Sequence, residues 1–196
     1  MMQTFLKELR SALAMTVALA VIVCGVYPIL VYTMGQAFFP GKANGSIIYH
    51  NGTAVGSSLL GQAFNGPRYF QPRPSAGGYD GTASGGTNLG PTSKDLIEKV
   101  QERVERYRET NSLAPGVLVP ADAATASASG LDPHISVENA MLQAPRVAKA
   151  RRSDTNEVVA VVRQHTEGRT LGVLGEPRVN VLRVNLALDE KEKTGK

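Results

Sequence analysis

The chain has 196 residues, of which 42% are hydrophobic, 19% charged and 6% aromatic, with a net charge of +4 and one cysteine. This length holds one domain with a substantial core plus an additional element. The composition excludes an aromatic sugar-binding platform, because Trp is absent; a nucleic-acid reader, because the cations form no one-faced stripe; and an intrachain disulfide or Cys-based zinc site, because Cys24 is alone.

In chain order, the first feature is a stretch without charge from residue 11 to residue 41, with an apolar centre, LAMTVALAVIVCGVYPILVYTM, at 13–34. About 20 helical residues at roughly 1.5 Å each cross a bilayer's hydrocarbon layer. The run is longer than a signal-peptide core of about 7–15 residues, and no A-x-A site follows it. The reading is an uncleaved membrane helix at 11–36. Pro28 is expected to kink or fray it. Lys7 and Arg10 precede the run and no charge follows until Lys42. The positive-inside rule then places residues 1–10 in the cytoplasm and residues 37–196 in an extracytoplasmic domain. Ser11, Ala14, Ala18 and Gly25 form a small-residue face, suited either to close approach by another helix or to an anchor without a partner.

Beyond a connector, Ile47, Ile48 and Tyr49 read as a strand, Asn51-Gly52 as a hairpin turn and Val55 as the start of the return strand. Residues 65–91 are dense in Gly and Pro but carry Tyr69, Phe70, Tyr79 and Leu89, which predicts an ordered loop wrapped on the domain or on a partner. A helix follows to Asn111, with Thr92 and Asp95 as a capping box and Leu96, Ile97, Val100, Val104 and Tyr107 on one face. Residues 117–119 read as a short buried strand. Ser136 caps a helix over VENAMLQ, and Pro145 is expected to end it, with a second helix restarting at 144–145. Asp154 and Glu157 form another capping box, with Gly168 as the stop, although the valine-rich segment 157–166 also fits a strand. Leu182, Val184, Leu186 and Leu188 alternate as in a half-exposed strand, and the charged tail from Asp189 is expected to fray. The sum is a single N-terminal transmembrane helix followed by one α+β domain.

Three chemistries are candidates. Ser127 or Ser129 with His134 and Asp132 supplies hydrolase residue types. However, Asp and His flanking Pro133 are not expected to turn toward each other, and there is no nucleophile elbow. His50, His134 and His165 lack the spacing of metal ligands, so no metal is expected. SGGTNLGPT (84–92) could offer backbone N–H groups to an anion, yet it lacks the lysine of a phosphate loop. No catalytic residue is assigned. The alternatives to a contact-based role are an anchored serine hydrolase and an anion-binding module.

Six blocks carry a resemblance that covers nearly the whole chain: GSSLLGQAF (56–64), YFQPRPSA (69–76), SGGTNLGPT (84–92), TASASGLDPHIS (125–136), NAMLQAPRVAKAR (139–151) and GEPRVNVLRVNLAL (175–188). The chain resembles the C chain of the bacterial high-affinity potassium-transporting ATPase, the Kdp complex; residues 152–170 match least distinctly. The resemblance implies a non-catalytic accessory subunit of the inner membrane, beside a channel-like potassium-translocating subunit and a P-type ATPase subunit. It implies an assembly-stabilising role and a catalytic chaperone role that raises the ATPase subunit's affinity for ATP. ATP enters only through the resemblance, and no cofactor is expected to be firmly bound. Because the domain is expected outside the cytoplasm, the effect on ATP is expected to be indirect. If nucleotide or a partner is contacted, the candidates are Ser84, Gly85, Gly86, Asn88, Asp132, His134 and Gln143.

Overall fold

The computed structural model describes residues 1–194 and divides into two compact units, Met1–Ile47 and Ile48–Lys196. The first unit is dominated by one apolar helical run, Met2–Phe38, whose length and composition suffice to cross a membrane. It comprises α1 (Met2–Ala20), a π-helical stretch (Val21–Val26) and α2 (Tyr27–Phe38). The proline expected to fray the helix is instead accommodated upstream of its ring. Pro28 has no N–H, and its ring crowds the carbonyl four residues back. The wider turn sits at that position, with the Tyr27 N–H donating to Ile22 O, five residues back. Ser11, Ala14 and Ala18 lie on α1 and Gly25 in the π stretch, and no residue of this run is buried. Phe39 breaks the helix, and one short turn, α3 (Pro40–Ala43), follows.

The second unit is α+β, as expected. β1 (Ile47–His50), which begins at the boundary between the units, and β2 (Thr53–Ser57) form the hairpin. Its turn needs two residues at positive φ, and Asn51 and Gly52 adopt 50° and 77°. The remaining elements are α4 (Lys94–Asn111), α5 (Ala121–Ala124), β3 (His134–Ser136), α6 (Val137–Arg151), α7 (Thr155–Gln164), β4 (Thr166–Glu167), β5 (Arg178–Asn180) and α8 (Val181–Thr194). The three short strands form an antiparallel sheet in the order β3-β5-β4, with Val179 opposite Ile135 on one side and Thr166 on the other. The core gathers Val147 and Ala144 of α6, Val158 and Val162 of α7, Val184 and Leu188 of α8, and Phe70 from the long loop.

Several sequence expectations are corrected. The largest concerns 182–188, which is helix and not strand. Val181, Leu182, Val184, Asn185 and Leu188 are buried, and this is the i, i+3, i+4, i+7 spacing of a helix face. Asn180 starts the helix by accepting the Arg183 N–H at 3.1 Å. The tail after Asp189 continues as helix to Thr194 and is held by ion pairs; residues 195–196 lie outside the described residues. The valine-rich segment is helical through Gln164, with Val158, Val161 and Val162 on its buried face. Asp154 caps it by accepting the Asn156 N–H, while Glu157 faces Lys191 at 3.7 Å instead of completing a box. The helix stops at His165, ahead of Gly168.

Pro145 does not split α6. It is exposed, whereas Ala144 and Val147 beside it are buried, so the missing hydrogen bond falls on the outer side. Ser93 and not Thr92 precedes α4, and it makes no side-chain cap; Tyr107 is buried, but Ile97 lies exposed off the apolar face. Residues 117–119 form no strand, and Leu118 is 86% exposed.

Candidate functional site

The Gly/Pro-rich loop is ordered because side-chain amides take the place of a neighbouring strand. A buried backbone segment must find partners for its N–H and C=O groups. Phe70 donates its N–H to Asn185 Oδ1 at 2.8 Å and accepts from Asn185 Nδ2 at 2.9 Å. The next residue repeats the pattern from another helix. Gln71 donates to Gln143 Oε1 at 2.8 Å and accepts from Gln143 Nε2 at 3.1 Å. Between these clamps the Phe70 ring is fully buried. The Arg146 guanidinium completes the anchorage, reaching Pro67 O, Tyr69 O, Asn111 Oδ1 and Gln143 Oε1 at 2.7–3.0 Å. Burial lowers its pKa, partly offset by Tyr107.

Asn139 links this region to the start of α6. Its Oδ1 accepts from Tyr107 Oη and Gln143 Nε2, each at 2.8 Å, and its Nδ2 donates to Asp122 Oδ2 at 3.0 Å. Asp122 also accepts from the Ser136 N–H and hydroxyl, while Ser136 Oγ accepts the Asn139 N–H as the expected helix cap. Burial raises the Tyr107 pKa, and the Asp122 charge adds to the rise. Above this network lies a cleft of about 480 Å³, lined among others by Gln71, Pro74, Tyr79, Arg103 and Gln143. All four hydrogen-bonding valences of Gln143 are engaged with Gln71, Asn139 and Arg146.

A second constellation centres on Asp132 and His134. Contrary to the sequence expectation, the two do meet. Asp132 Oδ1 accepts the His134 N–H at 3.0 Å and lies 3.6 Å from His134 Nδ1. Its Oδ2 accepts from Arg73 at 2.9 Å. Burial would raise the Asp132 pKa, but His134 and Arg73 outweigh it and hold the carboxyl at about 2. His134 Nε2 faces Glu167 at 3.7 Å, and Glu167 also meets Arg178 and Arg183. The serines are engaged elsewhere: Ser127 Oγ and Ser129 Oγ bond each other at 3.2 Å, and Ser129 Oγ accepts the Leu131 N–H. A nucleophile would need His134 at its hydroxyl; the residue types of a triad are present, but they are wired as an ion network that joins β3, β4, β5 and α8.

Ser84, Gly85 and Gly86 cross the 127–130 segment. The Gly85 N–H and the Ser84 hydroxyl both donate to Ser129 O, at 2.9 and 3.1 Å. A Cβ on Gly86 would lie 2.8 Å from Ala128 O, so the glycine is set by close approach. Asn88 adopts φ 52° farther along, and α4 begins only at Lys94. Two donors of the supposed anion loop are therefore already used within the fold. Ser84 and Asp132 line one shallow depression, while Gln143 lines the separate cleft described above. The candidates named from the sequence do not form one site. Among the described residues, no group of three or more His, Cys, Asp or Glu side chains could hold a metal ion.

The sequence reading missed Asn185, Arg146, Asn139 and Tyr107 as a connected set. One local signal was available: Asn185 interrupts an otherwise apolar helix face, where a polar group persists only if it is satisfied.

A family model described as K+-transporting ATPase, c chain, matches residues 9–190. The chain is 51% identical over 185 residues to the potassium-transporting ATPase KdpC subunit of Mycobacterium bovis, covering 93% of this chain and 98% of the relative. It is 51% identical over 189 residues to the protein of that name from Nitratidesulfovibrio vulgaris, covering 94% of each. It is 50% identical over 190 residues to that from Rhodospirillum rubrum, covering 95% of this chain and 97% of the relative.

Proposed function

The chain belongs to the KdpC family, the c chains of K+-transporting ATPases, and on that premise we propose that it is a non-catalytic, membrane-anchored subunit that works by contact. In this reading, residues 11–36 of the helical run Met2–Phe38 span the inner membrane with residues 1–10 in the cytoplasm, and the α+β unit lies on the opposite, periplasmic side. Its partners are a channel-like potassium-translocating subunit and the P-type ATPase subunit that carries the chemistry. The chain stabilises their assembly and raises ATP affinity as a catalytic chaperone, through indirect coupling and not by holding nucleotide in its own domain. Such coupling requires an element with two states that both sites bias.

The observation that carries the proposal is the use of the polar groups. Ser127, Ser129, Asp132, His134 and Gln143 all make internal bonds that fix loops, which suits a subunit whose product is a shape. Pull-down through a C-terminal tag in mild detergent is expected to recover two larger membrane subunits. Removing the chain is expected to weaken the apparent ATP affinity of the remaining ATPase, seen as a raised KM for ATP. A tag that impermeant reagents cannot reach in spheroplasts would overturn the proposed orientation.

A further inference from the structure

Beyond the long helix, the last residues of the first unit close on themselves. Phe39 ends α2, and the N–H groups of Ala43, Asn44, Gly45 and Ser46 donate to Phe39 O, Pro40 O, Lys42 O and Gly41 O at 2.8–3.1 Å. Gln36, on the last turn of α2, and Asn44 exchange both amide hydrogen bonds at 3.1 and 3.2 Å. Asn44 Nδ2 also donates to Pro40 O at 2.8 Å. The turn thus satisfies these polar groups internally, while its rings face outward. Phe38 is 68% exposed and Phe39 60%. Beside them stands Lys42, whose Nζ lies 6.0 Å from the Phe39 ring centroid. It is the only Asp, Glu, Lys or Arg between Arg10 and Arg68.

We propose that residues 36–44 form an interfacial collar bedded in the lipid headgroup layer of the leaflet where the long helix ends. Phe38 and Phe39 meet the acyl boundary, and Lys42 reaches the lipid phosphates. The proposal rests on the reading of the run Met2–Phe38 as a membrane span. Length supports it. Phe38 lies 28 positions after Arg10, which at roughly 1.5 Å per residue is about 42 Å. A bilayer with its headgroup layers measures about 40–45 Å. With Arg10 among the headgroups on one side, the collar falls among them on the other. The chemistry agrees. Segments that lie in this layer combine Phe or Leu with Lys or Arg. A lysine near a helix end lays its apolar stem along such rings and turns its ammonium to the polar side. Backbone and amide groups already bonded to one another lose few water partners on entering the layer. A partner protein fits less well. Successive side chains at a helix end do not share a face, yet both phenylalanines are exposed. A lipid layer encircles the helix and covers both, whereas one docked surface covers one.

Trp is absent from the chain, so Phe38→Trp and Phe39→Trp each place a single fluorescent reporter in the collar. The full chain is reconstituted in phosphatidylcholine–phosphatidylglycerol vesicles containing lipid brominated either near the glycerol or near the acyl-chain end. Both variants are expected to lose more emission to the first lipid. Val23→Trp, 13 positions after Arg10, is expected to lose more to the second. Adding Lys42→Glu to Phe39→Trp is expected to reduce the loss near the glycerol, through repulsion from the phosphates. In the assembled ATPase, a photoreactive group attached through Phe39→Cys in a Cys24→Ser background is expected to label lipid. Stronger quenching of the collar variants from the chain end, a loss that Lys42→Glu leaves unchanged, or labelling confined to another subunit would overturn the collar. If Val23→Trp is quenched by neither lipid, the membrane span fails first. If Val23→Trp is quenched from the chain end and the collar variants by neither lipid, the collar alone fails.

Discussion

Replacing Asn185 with Leu retains most of the side-chain volume and removes both partners of the Phe70 backbone. Phe70 would then bury an N–H and a C=O that now bond the amide at 2.8 and 2.9 Å. Each stranded buried group costs about 1–3 kcal/mol, so the expected loss is about 2–6 kcal/mol. That is a large share of the roughly 5–15 kcal/mol that separates a folded domain from its unfolded chain. At roughly 2–4 °C per kcal/mol, the melting temperature should fall by about 4–24 °C. Urea unfolding of the full chain in detergent measures it directly, and limited proteolysis should show early cuts within 65–91. Gln143→Leu breaks the adjacent clamp. Because either change alone frees the same loop, the double variant should lose less than the sum, with a coupling of about 0.5–3 kcal/mol. A loss below about 1 kcal/mol for Asn185→Leu would show that the Phe70 groups find other partners, and would refute the clamp.

Neighbouring glycines should respond in opposite ways. Gly86→Ala meets the Ala128 carbonyl and should cost about 1–3 kcal/mol as overpacking, whereas Gly85→Ala meets nothing within 4 Å and should be near neutral by thermal melt. The depressed Asp132 carboxyl, at about 2, stabilises the fold above its unfolded value near 3.9, and this contribution is lost as pH falls from about 4 through 2. Asp132→Asn should flatten that acid limb in a pH series of melts; an unchanged slope would refute the assignment. Ser136→Ala removes the α6 cap and one Asp122 partner and should cost about 0.5–2 kcal/mol by urea titration.

What was legible in the sequence was local. The uncharged run announced the long helix, Asn51-Gly52 the hairpin and Ser136 the start of α6, because each signal acts within a few residues. The alternation at 182–188 misled because Leu186 matches a strand pattern while the actual buried face runs through Val181, Val184, Asn185 and Leu188. One member of that face is polar, and it is satisfied only by Phe70, 115 positions earlier; no window of neighbouring residues contains that information. Pro145 misled for a related reason, since its cost depends on whether the freed carbonyl is buried, and packing alone decides that. Asp132 and His134 meet locally, through a turn the sequence analysis did not expect, but their arginine and glutamate neighbours come from three other segments.

The same separation has a consequence in time. A ribosome adds roughly 5–20 residues each second, so residues 69–71 emerge several seconds before Asn185. Throughout that interval Phe70 lacks both the helix that encloses its ring and the amide that satisfies its backbone. The loop's final form must wait for α8, and a chain cut before α8 would leave it unclamped. Chains truncated before α8 should therefore stay open to proteolysis within 65–91, and chains that include α8 should not.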